Sequence, residues 1–504
     1  MTRDVGHRII LVRLSFLAVL TLRLWRPAEP GRRNRCAVIA VVNSAGVTHN
    51  RDTGNRNGVM PGGPSPETGP TAAEPGGLTV RTVAIADPGE LLTGLPDAPV
   101  LSWVRQGRGL VGWGEVARVT LTAGEDRFTA GEKWLRTLFD DVTVDDRVQV
   151  PGTGPLAFGS FTFDPASDGS VLIVPRVIVG RDGTGTAWLT TVSDGREPAG
   201  RQSWPGAAGP EEEPGPPAGI PSGSSLRWHD GSLSALEWAH AVELAVDRIT
   251  SGRHGLGTPD PGALRKVVLA RDVFAAAAEP IDPRVVLRRL AARYPDCYTF
   301  AVADLVGATP ELLIRRQGRE VSALILGGTL PRGAQPREDQ ELGAALLASA
   351  KNTEEHEYAV DSIREVLAPL CTSLVIPSRP SLLKLANLHH LGTAVRGTLA
   401  ADQSVLSLAD AVHPPAAVCG TPTEVALELI RDLEHMERGR YAGPVGWVDA
   451  AGNGEFGIAL RCAELAGPRA RLFAGCGIVA GSDPVAEVAE TEVKFLPMRQ
   501  ALEG

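Results

Sequence analysis

A glycine-lined strand running straight into an acidic helix constrains this chain more than any other feature. It is RLFAGCGIVAGSDPVAEVAETEVK, residues 471–494. Arg471 to Ala474 reads as a strand, and Gly475, Gly477 and Gly481 let a backbone lie close to a ligand. Asp483-Pro484 marks a helix start, with Asp at the N-cap and Pro at the first helical position. On that helix Glu487 and Glu490 stand three apart and share a face. A glycine-lined pocket beside two carboxylates suits a hard cation. A solvated face on which Glu490 pairs with Lys494 at i,i+4 fits the same residues.

The 504 residues suffice for one large domain or two to three smaller ones. A hydrophobic content of 43% with 22% charged residues fits a globular protein with a sizeable core. The net charge of −9 gives no support to a nucleic-acid surface. Six cysteines, at 36, 297, 371, 419, 462 and 476, form no CxxC pair. They read as reduced thiols of a cytoplasmic protein, not as a disulfide framework or zinc site.

Near the start, Ile9 to Trp25 is apolar but carries Arg13 and Arg23, too short and too charged to span a membrane. Those arginines, and the lack of a small-residue cleavage site, count against a secretory signal. Asn43 to Gly77 is polar and rich in Gly, Pro and Thr. Residues 1–75 are therefore expected to form a disordered extension, consistent with a start codon assigned too early. A β-rich part follows over 76–195. Its strands include Val100–Gln106, Gly109–Val119, Leu156–Phe163 and Ser170–Val179, with a helix at Ala130–Asp140. Residues 196–225, including GPEEEPGPPAGIPSGSS, read as a flexible Pro/Gly-rich loop.

The remaining chain, 226–504, holds the candidate chemistry. Ser234-Ala-Leu-Glu237 is a capping box, and Trp238, Val242, Val246 and Ile249 follow at helical spacing. In the strand RKVVLAR, Lys266 shares a face with Val268 and Ala270. It either snorkels from an edge or is buried as a general base. Glu311 opens a strand right after Pro310, a place open to a solvated carboxylate or a catalytic acid. Gly327 to Gly333, GGTLPRG, reads as a loop that could cradle an anion or simply turn. One long helical pattern runs from about Arg337 to Leu367 and contains Glu355. The pair His389-His390 lacks a third nitrogen or sulfur ligand at local spacing, so hydrogen-bonding or core histidines fit better than zinc ligands. Arg461 leaves a strand and can hold a carboxylate with its rigid fork.

Taken in order, KVVLAR (266–271), PELLIR (310–315), GGTLPRG (327–333), SAKNTEEHEYAVDSI (349–363), HLGTAVRG (390–397), HPPAAVCGTPTEVA (413–426), YAGPVGW (441–447), EFGIALRCAE (455–464) and LFAGCGIVAGSDPVAEVAETEVK (472–494) resemble the chorismate-utilising enzymes, and among them the isochorismate synthases. The resemblance covers nearly all of 226–500. It implies an α+β fold, a large two-sheet sandwich like that of anthranilate synthase component I, with helices outside and the site in a cleft. It also implies Mg²⁺ and chorismate, a dianion. Carried over position by position, Glu355 and Glu490 would bind Mg²⁺ directly and Glu487 through water. Several relatives have an acid where Asn352 stands. Arg461 and Tyr441 would hold the enolpyruvyl carboxylate. Gly328, Thr329, His390, Gly420, Gly475, Gly477 and Lys494 would line the pocket. Lys266 would take a proton from water, which requires a partly neutral amine near neutral pH. Glu311 would supply a proton to the departing hydroxyl, and the two should face each other across the ring.

Comparison within the family narrows the expectation. Anthranilate synthases resemble this chain but use ammonia and have glutamine where Lys266 stands. Aminodeoxychorismate synthases can carry a nucleophilic lysine where this chain has Gly327. A lysine at 266 therefore points to water as nucleophile. HPPAAVCG is closer to the HPTPAVCG pattern of isochorismate synthases than to salicylate synthases, with Pro415 and Ala416 departing from it. The alternatives are a salicylate synthase, which goes on to eliminate pyruvate, and a non-catalytic chorismate-binding regulator. The expected protein is a cytoplasmic monomer with no nucleic-acid or membrane partner, its product serving menaquinone or siderophore biosynthesis.

Overall fold

Strands, many of them buried on both faces, frame the described residues, and their pairing separates into two arms that start from one antiparallel pair. The computed structural model describes residues 77–194, 226–254, 258–259 and 262–504, all within the unit Ala72–Gly504. The expectations for 1–75 and 196–225 lie outside the described residues.

The shared pair is Arg108–Leu121 with Ser170–Arg181. From the first strand, one arm runs through Val100–Arg105, Tyr298–Val302, Leu305–Thr309, Cys462–Ala466 and Arg469–Ile478 to Lys266–Ala276. From the second, the other arm runs through Leu156–Ser160, Pro444–Asp449, Gly454–Ile458, Leu312–Gln317 and Glu320–Pro331 to Leu388–Leu399. A main core joins residues of both arms: Leu269, Phe300 and Phe473 from one, Ile314, Val395 and Phe456 from the other. A second core lies under the helices Pro283–Arg293 and Pro484–Glu503, with Leu287, Leu472, Phe495 and Leu502. The Ala350–Leu367 helix packs on the Glu320–Pro331 strand of the other arm. This is the expected α+β sandwich with outer helices.

Local signals decide where helices begin. Asp483 accepts from the Ala486 N–H and Pro484 opens the last helix. Ser234 and Glu237 form the reciprocal capping box before Ala235–Ser251. Elsewhere the structure departs from expectation. The single helix expected over 337–367 is two helices, Pro336–Ala348 and Ala350–Leu367. Ser349 is extended between them, and its side chain caps the second by accepting from Asn352 N–H. Gly327–Gly333 is not a free loop. The strand continues to Pro331 through a bulge between Gly327 and Thr329, with Gly328 at φ +59°. The five cysteines within the described residues are all unpaired.

Candidate active site

The strand Lys266–Ala276 lies antiparallel to Arg469–Ile478, with Val268 opposite Gly477 and Ala270 opposite Gly475. Opposed residues share a face, so Lys266 and the two glycines point the same way. There a cleft opens. Glu311, Gly328, Thr329, Glu355, His390, Tyr441, Arg461, Gly475, Gly477 and Lys494 line it. Sequence reasoning missed Leu326, Ala417, Val418, Arg438 and Leu460, which line it too. Four are apolar residues within or beside the quoted motifs, and Arg438 stands three residues before Tyr441; none carries a local signal that it faces the cleft.

Glu311 is 5% exposed. Burial pushes its pKa up to about 7, although the Leu326 N–H and the charges of Lys266, Arg461 and Lys494 pull the other way. A carboxylic acid that keeps its proton near neutral pH can donate it. His390 is also buried, and desolvation pushes it down to about 3. A neutral ring whose Nδ1 lies 3.2 Å from the Gly328 carbonyl carries its proton on Nδ1. Its Nε2 then accepts, and it has no partner among the described residues. Tyr441 stacks on Phe473 at 4.8 Å. Arg461 is buried with a backbone φ of +48°, and desolvation lowers its pKa.

Lys266 lies one layer behind this lining. Its side chain is 1% exposed, and Nζ is 3.5 Å from Oε1 and from the backbone oxygen of Glu355. Snorkelling is thus excluded. The charge of Lys266 reaches Glu311, but the amine is not uncovered, since the Glu355 carboxylate lies beside it. Glycine is required between them: a β-carbon on Gly477 would sit 2.0 Å from Glu355 Oε1 and 3.0 Å from Lys266 Cε. Gly420 does not line the cleft. It abuts the Lys266 backbone, where a β-carbon would meet the Lys266 oxygen at 2.2 Å.

Glu487 and Glu490 gather with Cys476, their ligand atoms all within 4.8 Å of one another. Glu355 stands outside that group and reaches it electrostatically. Burial and then Glu490 raise the pKa of Glu487. Lys351 pairs with Glu487 at 2.8 Å and Lys494 with Glu490 at 2.6 Å. The i,i+4 pair weighed as a solvated face therefore exists, but its lysine is buried and lines the cleft, while Glu490 is partly exposed. Cys476 was not anticipated. Burial keeps its thiol protonated, far above the ordinary range, and it donates to the Glu487 carbonyl. The anionic donors are then carboxylate oxygens alone, a set that fits Mg²⁺.

A family profile described as chorismate binding enzyme matches residues 101–503, and the chain belongs to that family. Within it, the chain is an enzyme of the isochorismate-synthase group. It is 33% identical to isochorismate synthase MenF of Bacillus subtilis over 75% of this chain and 80% of that protein. It is 35% identical to the salicylate biosynthesis isochorismate synthase of Pseudomonas aeruginosa over 80% and 85%. With isochorismate synthase DhbC of Bacillus subtilis it shares 42% identity over 49% of this chain and 65% of that one. The structure of the menaquinone-specific isochorismate synthase MenF from Escherichia coli superposes with a TM-score of 0.68 at 26% identity, covering 85% of this chain and 95% of that one. Anthranilate synthase component I from Streptococcus pneumoniae, 20% identical with a TM-score of 0.62 over 80% and 93%, shares the fold. No helix among the described residues is long and apolar enough to cross a membrane.

Proposed function

We propose that the protein converts chorismate to isochorismate with Lys266 as base and Glu311 as acid. Water forms the new ring carbon–oxygen bond and gives a proton to the Lys266 amine. The bond from ring to the original hydroxyl breaks, and the Glu311 proton leaves with it as water. The ring double bonds shift between the two carbons, so substrate and product are isomers. One observation carries this reading: a buried carboxyl with a pKa of about 7 forms the cleft wall, electrostatically coupled to a buried lysine.

Glu355 and Glu490 would hold Mg²⁺, with Glu487 assisting through water. Bound there, the ion would supply positive charge that tethers the ring carboxylate. Arg461 and Tyr441 hold the enolpyruvyl carboxylate. Gly328, Thr329, His390, Gly475, Gly477 and Lys494 shape the wall, and Gly420 keeps the backbone of Lys266 close. We place the protein in the cytoplasm as a monomer, its product feeding menaquinone or siderophore biosynthesis. Incubation with chorismate and Mg²⁺, followed by separation of products, tests the reading. Isochorismate is expected. Salicylate with pyruvate would make the protein a salicylate synthase, and no turnover would make it a binding regulator.

A further inference from the structure

We propose that the buried Glu434–Arg438 pair is a positioning device for the reaction. It takes the place of a missing strand beside Lys266 and fixes two backbones around that lysine. The inference rests on the reading of Lys266 as base.

One edge of the Lys266–Ala276 strand is paired only at its ends. Gly420–Thr421 meets Lys266 and Val267, and Arg227–Asp230 meets Val273 to Ala276. Between them Val268 N–H still reaches the Cys419 oxygen at 2.7 Å, but the Val268 oxygen and the outward groups of Ala270 have no backbone partner, and buried orphans of that kind are costly. Side chains supply the bonds. Arg438 Nη2 donates to the Val268 oxygen at 2.8 Å. Glu434 Oε1 accepts from Ala270 N–H at 2.7 Å. Arg438 Nη1 reaches across to the Val418 oxygen at 2.9 Å, two residues before Gly420. Nε and Nη2 close the clamp on Glu434 at 2.9 and 2.5 Å. The two side chains are 3% and 1% exposed, and Arg438 lines the cleft.

One fork thus ties the strand that carries Lys266 to the loop that carries Gly420. A buried ion pair is seldom worth more to stability than an apolar pair of the same shape. Geometry is the better account of this one, because the fork alone reaches two carbonyls and a carboxylate at once.

Two variants test it, Arg438→Lys and the charge-free double Glu434→Gln/Arg438→Met, each assayed where circular dichroism shows it folded. A lysine balances the Glu434 charge but cannot span both carbonyls. The expected result for each is a kcat lower by about 10–100-fold, the cost of a small misplacement of a reacting group. The KM for chorismate should stay within about twofold, because the carboxylate anchors remain. In the double variant this loss is expected even where the melting temperature equals or exceeds the native value. A folded variant with near-native kcat overturns the proposal. So does activity loss that only tracks the unfolded fraction, or failure of both variants to fold, since each leaves a purely structural role. Lys266→Ala is assayed alongside. If it retains turnover, the assignment of the base fails, whatever the clamp variants do.

Discussion

Glu311 shows how burial alone can set a chemical role. Three cations lie near enough to lower its pKa, yet desolvation outweighs them and leaves it at about 7. The acid form is needed for turnover, so kcat/KM should fall as pH rises through about 7. Glu311→Gln should abolish that limb and lower the rate by about 10²–10⁴-fold. Stability carries the same signature. A carboxyl whose pKa rises on folding stabilises fully below its unfolded value of 4.5, and that contribution is lost as pH climbs through about 7. The melting temperature of Glu311→Gln should therefore depend less on pH across that window than that of the native protein. An unchanged slope would mean Glu311 titrates as an ordinary surface acid. At the same scale, Lys266→Ala should stop turnover with the fold intact, measured by product formation and circular dichroism.

At the scale of elements, the site exists because an acidic helix from one arm reaches glycines in the other. Gly477 is the contact point, since any side chain there meets Glu355 and Lys266. Gly477→Ala should displace the Glu355 carboxylate and weaken Mg²⁺ binding by about 10–100-fold in calorimetry, as loss of ligand support does elsewhere. Native affinity in that variant would remove Glu355 from the metal site. Much of this was legible beforehand. Asp483-Pro484 announced a helix, the 475–477 glycines announced close approach, and Ser234 with Glu237 announced a cap, because each signal is local. The break at Ser349 was hidden inside continuous helical spacing. The bulge at Gly328 depends on pairing with a strand some sixty residues later. Cys476 and Arg438 could not be assigned because their partners, Glu487 for one and Val268 with Val418 for the other, are fixed only by the fold. Lys266 was placed on the right strand face, yet its cover by Glu355 comes from another element.

Across the whole molecule, the cores and the charged groups of the cleft are largely separate, although Tyr441 belongs to both the main core and the cleft wall. The cores run through both arms and under the outer helices, while Glu311 and Glu355 line the cleft. Chelation should accordingly stop turnover and leave the far-ultraviolet spectrum unchanged, with Mg²⁺ restoring activity. Trp238→Ala should instead lower the stability of the fold. It removes a fully buried ring that also bonds the Ala270 oxygen, and should cost about 3–5 kcal/mol in denaturant unfolding. The most direct test of the chemistry is turnover in ¹⁸O-labelled water with mass analysis of the isochorismate formed. Attack by water on the ring predicts one ¹⁸O in the new hydroxyl group. Product without label would show that the original oxygen migrates, and would contradict the roles given to Lys266 and Glu311.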